Sequence, residues 1–519
     1  MAVSAADGEA LVRLRQIHET AGWVLVESTL ADIPADLRWL YESGAVTLAQ
    51  LADLHRRLGI TSAADMASAA REGRIAPILG WDIETAIGAA VPAIRSRIPH
   101  VPLGRAVATI EPVLTRLRGL PHVRWAEPGG SLRRGDDLVG DIEIVVSSDR
   151  ARDAIEAFVA ALEGSRLLHR SERRAYALAE RLQIGLRVVE PDHAGAALLQ
   201  ATGPAAHLDA LRAHADAQGW RLGDAGLRAA DGTICPAPVE ADIYDALRLP
   251  DIPPEVRRSG AEVAAAARGE LPALVSRRDI RGDLHMHTVW SDGRDSVEAM
   301  VAACRALGYE YMAITDHSPH SAASRNLSID GVAQQADEIA RLRERYPDIA
   351  ILHGCEVDIL ATGSLDFPDK VLERFDLVLA SLHESHGHAP DRLLDRYAQA
   401  MRHPLVTLIT HPTNRLVPIR AGYDLDYARF FEIAVETGTL LEIDGAPAHL
   451  DLDGDLARQA IEAGAIVCID SDCHRADLLE RQMMLGLVMA RRGWVEARHV
   501  LNTRPLGEVR RAVAAKRAR

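Results

Sequence analysis

The chain has 519 residues, more than one ordinary domain holds, and its 48% hydrophobic and 26% charged residues make a globular composition that excludes a long disordered or collagen-like protein. Lys and Arg number 59 against 74 Asp and Glu, a formal charge of −15 that repels phosphate polyanions at long range, so any nucleic-acid role must rest on a local site. Aromatic residues are only 4%, too few for an extended platform on which single-stranded bases could stack.

The first hundred residues read as helices. Leu37 to Leu58 and Ala63 to Ala90 carry apolar residues at three- and four-residue spacing with glycine punctuation. From about Val123 the texture changes: Gly129-Gly130-Ser131-Leu132-Arg133-Arg134-Gly135 precedes Asp141-Ile142-Glu143-Ile144-Val145-Val146, which alternates as a strand with one polar face does. A second strand is expected at Ile184 to Val189, and the polar run Ser276-Arg277-Arg278-Asp279 suggests a boundary near 275.

Beyond that boundary, short apolar runs of strand character recur about every 30 residues with helical patterns between them. They are Asp283 to His287, Met312 to His317, Ile349 to Glu356, Asp376 to His383, Val406 to His411, Leu440 to Asp444 and Ala465 to His474. Seven strands alternating with helices predict a parallel β/α architecture, and ligand-type residues at the strands' C-terminal ends are what a barrel with its site on that face requires.

The residues at those ends are His285, His287, Asp292, His317, Glu356, His383, His411, Asp472 and His474. Six imidazoles and three carboxylates exceed the needs of one ion, and the mixture suits zinc, manganese or iron. Closely spaced metals can activate water at neutral pH and clamp phosphoryl oxygens, so a polynuclear phosphoryl-transfer site is expected. Asp316, Asp358, Asp444 and His320 are expected to support ligands or to be solvated, and Cys473 to be a small buried thiol on the opposite strand face. Arg415 and Arg420 are candidates to hold a substrate phosphate. His285, His287, Glu356, Asp472 and Arg415 are the catalytic candidates.

The five cysteines (Cys235, Cys304, Cys355, Cys468 and Cys473) form no C-x-x-C pair and are odd in number, which suggests a reducing compartment. No basic-then-apolar leader opens the chain, and no apolar run approaches the ~20 residues of a bilayer span. A soluble cytoplasmic monomer without membrane partners is the expectation.

On the nine ligand-type residues, the part from about 280 onward resembles the PHP (polymerase and histidinol phosphatase) phosphoesterase domain. The resemblance implies a distorted seven-stranded barrel with three divalent metals. By it, His285, His287, Glu356 and Asp472 hold the first ion, Glu356, His383 and His411 the second, and Asp292, His317 and His474 the third. It extends through Arg491-Arg492-Gly493-Trp494 and Leu501-Asn502-Thr503, similar to the end of this domain in bacterial family X DNA polymerases.

The other half is similar to the rest of such a polymerase. Gly130, Ser131 and Arg134 with Asp141 and Glu143 resemble its nucleotidyltransferase signature, and Thr202-Gly203-Pro204, His207 and Ile252-Pro253-Pro254-Glu255-Val256-Arg257 resemble later landmarks. Here the chain departs from the family. Gly185 stands where a third metal-binding Asp belongs, Glu143 replaces an Asp, and Gln200-Ala201 replaces a Tyr-Phe pair. The helix-hairpin-helix turns Gly44-Ala45-Val46 and Gly80-Trp81-Asp82 each lack one of the two glycines whose amides grip a DNA phosphate. At most a weak Mg²⁺ site is expected in the palm, and Arg133, Arg134 and Arg187 are placed either on a phosphate or in structural roles.

The expectation is therefore a multidomain α/β protein. It comprises a helix-hairpin-helix-like helical region (1–100), a nucleotidyltransferase-like α+β palm (101–190), a thumb-like region and linker (191–275) and a distorted (β/α)7 PHP barrel (276–519). The expected function is metal-dependent phosphoester hydrolysis, as a 3′–5′ exonuclease or DNA 3′-end-processing enzyme, with polymerase activity lost. A histidinol-phosphatase-like enzyme for a small phosphomonoester is the alternative, and a non-catalytic DNA-end or nucleotide-binding scaffold is the alternative from another class.

Overall fold

The computed structural model describes residues 44–519, apart from 61–62, 96–99, 163, 180–181, 322 and 385–388, together with Leu37, Leu40 and Tyr41. In the helical region Thr47 forms a capping box with Gln50 and starts the helix Leu48–Leu58, which Gly59 ends at φ 66°. The expected run Leu37 to Leu58 is thus interrupted around Gly44. The run Ala63 to Ala90 is likewise three helices, Ala63–Arg71, Ala76–Leu79 and Trp81–Arg95, because Gly73 and Gly80 adopt left-handed φ values of 67° and 93° between them. Leu40, Leu54, Met66 and Ile75 give this region a small core of its own.

Five strands form the palm sheet, in the spatial order Val123–Pro128, Asp141–Ser148, Leu182–Val189, Arg174–Ala179, Arg166–Arg170. The two expected strands are its central parallel pair, with Glu143 opposite Gly185. The hairpin Arg166–Ala179 escaped the sequence reading because its arginines blur the alternation. Gly130-Ser131 opens a single short helix, Gly130–Arg134.

Two polymerase-like landmarks of the thumb region, His207 and Arg257, are packed in its interior. His207 is buried between Glu262 (2.9 Å) and the Tyr244 hydroxyl (2.9 Å). Arg257, 1% exposed, bonds the Ile252 carbonyl and Glu240, whose other oxygen meets Arg133 at 2.8 Å. Arg133 also donates to Thr202 (2.7 Å), and Arg134 to the Thr202 carbonyl (2.5 Å) and Asp136 (2.6 Å). Both arginines therefore fasten palm to thumb.

The C-terminal barrel has all seven expected parallel strands in sequence order: Gly282–Asp283, Tyr311–Ile314, Ala350–Asp358, Leu377–Ser381, Leu408–Ile409, Leu440–Asp444 and Val467–Asp470. A parallel bridge from Met286 to Cys473 nearly closes it. Five of the seven strands are shorter than predicted, Leu440–Asp444 matches its expected bounds and Ala350–Asp358 runs two residues past Glu356, and most ligand-type residues lie just past the strand ends, where the chain splays away from the sheet. His411 and Asp472 sit there at φ 28° and 46°, a conformation that costs of order 1–3 kcal/mol in non-glycine residues and tends to occur at functional sites. Among the described residues no helix is long and apolar enough to cross a membrane, and all five cysteines are free.

Palm and barrel meet in a charged, close-packed seam. Arg492 reaches Asp136 (2.5 Å), Arg481 reaches Glu111 (2.5 Å), and Gly135 is needed because a Cβ there would stand 2.0 Å from Val488. Arg415, a candidate to hold substrate, has its guanidinium engaged in this seam. Its guanidinium contacts Asp137 (2.7 Å) and Asp453 (3.5 Å) and donates to the carbonyls of His449 (2.9 Å) and Leu450 (2.6 Å). Arg420 is similarly engaged, bonding Asn414 through its carbonyl and side chain.

Candidate metal centre

All nine ligand-type residues of the barrel come together at its C-terminal mouth. Glu356, two residues before the end of its strand and 0% exposed, is the hub. One oxygen lies 3.2 Å from His285 Nε2, 3.3 Å from His287 Nε2 and 3.0 Å from His317 Nδ1; the other lies 3.2 Å from His383 Nε2 and 3.0 Å from His411 Nε2. Asp472 approaches His287 Nε2 at 3.0 Å and His285 Nε2 at 3.6 Å, while Asp292 approaches His474 Nε2 at 3.2 Å and His317 Nε2 at 3.6 Å. Three convergent groups result: His285, His287 and Asp472; His317, Glu356 and His383; and His287, Asp292, His317 and His474.

Donor accounting shows that this cluster suits cations. The Nε2 atoms of His285 and His287 face each other at 3.1 Å, and neutral rings would direct lone pairs at one another and at carboxylates. Without a cation, protons must fill the gap. Burial pulls His287 down, yet Asp472 and Glu356 prevail and lift it to about 9; His383 rises against its burial to about 10 through Glu356 and Asp358. Burial would raise Glu356 itself, but His317 and His383 outweigh it and hold the carboxyl well below its usual range. Imidazole and carboxylate donors in this proportion fit zinc, manganese or iron.

Neighbouring groups orient the donors. His285 Nδ1 donates to Glu442 Oε1 (2.6 Å), and the other Glu442 oxygen accepts from the Thr410 hydroxyl and the His411 amide (2.7 Å). Glu442 was missed from the sequence; its signal is a single acid on the inward side of Leu440–Asp444, two residues from another. Asp358 takes the Nδ1 proton of His383 at 2.9 Å. Asp316 shapes the loop that carries Asp292, accepting from Thr288, Ser291 and Gln335. Such partners fix ring orientation and tautomer. Cys473 is buried, donates to the Arg475 carbonyl and takes no part, and His320 is exposed. Arg325 is exposed, with its guanidinium 3.5 Å from the Gly293 carbonyl next to Asp292.

The palm's acids are arranged differently. Gly185 supplies no ligand, and the Tyr176 ring occupies the space a side chain would need. Arg174 pairs with Asp65 of the helical region at 2.6 Å, bringing that region against the sheet. The Glu143 carboxyl, with one buried oxygen lacking a hydrogen-bond partner, is pushed up to about 7 by burial and then by Asp65, against the pull of Arg187 and Arg174. Two guanidinium charges thus act where a cation would bind, and among the described residues the palm holds no convergent group of three ligands. The expectation of Mg²⁺ there gains no support from this arrangement.

A pH dependence follows. Glu143 keeps its proton in the fold up to about 7 and loses it near ~4.3 when unfolded, so its stabilising contribution is full below the lower value and vanishes as pH rises through the higher one. Glu143→Gln is expected to unfold at nearly the wild-type urea concentration at pH 4.5 and to be more stable by ~1–3 kcal/mol at pH 8. An unchanged difference between the two pH values would contradict this.

Comparison with known proteins adds an independent view. Residues 197–258 match the DNA polymerase beta thumb family and residues 283–443 the PHP domain family. The DNA polymerase/3′-5′ exonuclease PolX of Bacillus subtilis (strain 168) is 31% identical over 490 residues, covering 93% of this chain and 85% of that protein. A probable phosphatase of Caldanaerobacter subterraneus subsp. tengcongensis is 29% identical over 205 residues, covering 37% of this chain and 75% of its own. The histidinol phosphate phosphatase of Lactococcus lactis, solved with zinc, L-histidinol and phosphate, superposes with a TM-score of 0.33 at 16% identity, over 42% of this chain and 94% of that one.

Proposed function

Because this chain belongs to the bacterial family X DNA polymerases with a C-terminal PHP domain, we propose that its PHP barrel is a metal-dependent 3′–5′ exonuclease acting on DNA 3′ ends, and that templated synthesis has been lost from its palm. Hydrolysis of phosphate esters in general has support from the PHP domain and its phosphatase relatives. The observation carrying the finer reading is the contrast within one chain between nine converging ligands in the barrel and a palm with Gly185 in place of a carboxylate.

In this reading His285, His287, Asp292, His317, Glu356, His383, His411, Asp472 and His474 hold the divalent ions, three in number, of the manganese, zinc or iron class. When bound, such ions lower the pKa of water and offset charge on phosphoryl oxygens. Water supplies the oxygen that bonds phosphorus, the P–O3′ bond of the terminal linkage breaks, and the departing O3′ takes up a proton from that water to become the shortened strand's new 3′ hydroxyl while a 5′-nucleotide leaves. Glu442 and Asp358 hold the rings of His285 and His383 in the tautomer that presents Nε2 to the site. Arg325, exposed beside the loop that carries Asp292, is the candidate to meet the next phosphate of the strand.

The second reading, a phosphatase for a small phosphomonoester, draws on the phosphatase relatives that match the barrel region. One experiment separates the two. Purified protein with Mn²⁺ is given single-stranded, 3′-recessed and 3′-phosphorylated DNA and, separately, p-nitrophenyl phosphate, beside the His285→Ala/His287→Ala variant. Strand shortening that the variant lacks supports the exonuclease; hydrolysis of p-nitrophenyl phosphate with every DNA intact selects the phosphatase.

A further inference from the structure

Beside the three convergent groups of the main cluster lies a fourth, which shares only Asp472 with the nine ligand-type residues. Asp444, His449 and Asp472 bring ligand atoms within 4.8 Å of one another. Asp444 ends the strand Leu440–Asp444, one inward position beyond Glu442, and is 0% exposed. One of its oxygens accepts from the Ala446 amide (2.5 Å), while the other, Oδ2, is buried without a hydrogen-bond partner.

His449 reaches the same point from the following loop. Its Nδ1 lies 3.0 Å from the Arg415 carbonyl, which only accepts, so Nδ1 carries the proton and the neutral ring turns a lone pair on Nε2 toward the two carboxylates. The ring stacks on that of His411, with centroids 5.0 Å apart and planes at 17°. The loop is held firmly: Asp444 and Asp451 exchange backbone hydrogen bonds, and Arg415 grips the carbonyls of His449 and Leu450 at 2.9 and 2.6 Å. Asp472 spends one oxygen on His287 and has a second to share.

The two carboxylates and the imidazole thus converge on one point with Asp444 Oδ2 left buried and unpartnered, an arrangement that a cation among them would satisfy. We propose that Asp444, His449 and Asp472 form an additional divalent-cation site, of the zinc or manganese class, joined to the main cluster through the Asp472 carboxylate. Two carboxylates and an imidazole are a sufficient donor set for such an ion, with water completing the coordination. The proposal leans on the phosphoesterase reading only in that Asp472 serves both sites.

Crystals of the full chain grown with Zn²⁺, with anomalous maps recorded on both sides of the zinc edge, test it. A peak about 2.0–2.2 Å from His449 Nε2 and from an Asp444 oxygen, in addition to those among the nine ligands, is the expected result. Peaks among the nine with none at Asp444 overturn this site and leave the phosphoesterase reading standing; no peak anywhere overturns both. In solution, zinc bound per chain after dialysis should fall by one atom in Asp444→Asn and in His449→Ala, with the remainder retained. Equal zinc content in wild type and both variants overturns the proposal.

Discussion

Glu356→Ala is expected to reduce hydrolysis of both DNA 3′ ends and p-nitrophenyl phosphate by about 10³-fold or more, because removing a ligand shared between ions dismantles the site as a unit. Both Glu356 oxygens lie within 3.3 Å of imidazole nitrogens, five in all, so no neighbouring carboxylate can replace it without moving several rings. Bound metal should fall with activity, and plasma mass spectrometry on the dialysed variant measures it directly. Glu356→Gln keeps the shape and loses the charge, and it is expected to resemble the alanine variant. Near-normal turnover in either would place the chemistry elsewhere in the chain.

Restoring the missing palm carboxylate should fail for a steric reason. In Gly185→Asp the new Cβ would stand 2.6 Å from a ring carbon of Tyr176, which is directly opposite on the neighbouring strand and 3% exposed. The ring must move, which typically costs ~1–3 kcal/mol, and burying a second carboxylate opposite that of Glu143 adds to that. The variant is expected to unfold at lower urea concentration and to leave a primer unextended in the presence of dNTPs. Coupling it to Tyr176→Ala relieves the clash but gives up the ring's burial, so the pair should recover only part of the loss. A Gly185→Asp protein as stable as the wild type that extends primers would show the palm to be one substitution from activity.

The barrel was legible because its pattern is redundant. Each of seven apolar runs ends in or near a His, Asp or Glu, so an error at one run leaves the others standing. The precise strand ends were not legible: Gly282–Asp283 and Leu408–Ile409 are two residues each, since the backbone leaves the sheet to aim His285, His287 and His411 inward. Glu442 was overlooked although Asp444 two residues on marks the same strand face, because its partner His285 lies 157 residues away and only the closed barrel brings them together. The seam contacts of Arg415 were not legible either, as Asp137 is 278 residues distant and only the tertiary fold brings them together. The departure at Gly185 was plain in the sequence, but that Tyr176 fills the space depends on a cross-strand register that no local pattern reveals.

One labelled primer on a longer template, incubated with wild-type protein, Mn²⁺ and all four dNTPs, tests the central claim most directly. The account predicts that the labelled strand shortens from its 3′ end at similar rates with and without dNTPs and that Glu356→Ala leaves it intact. A strand that lengthens when dNTPs are added, or one that the wild type leaves unchanged, would contradict it.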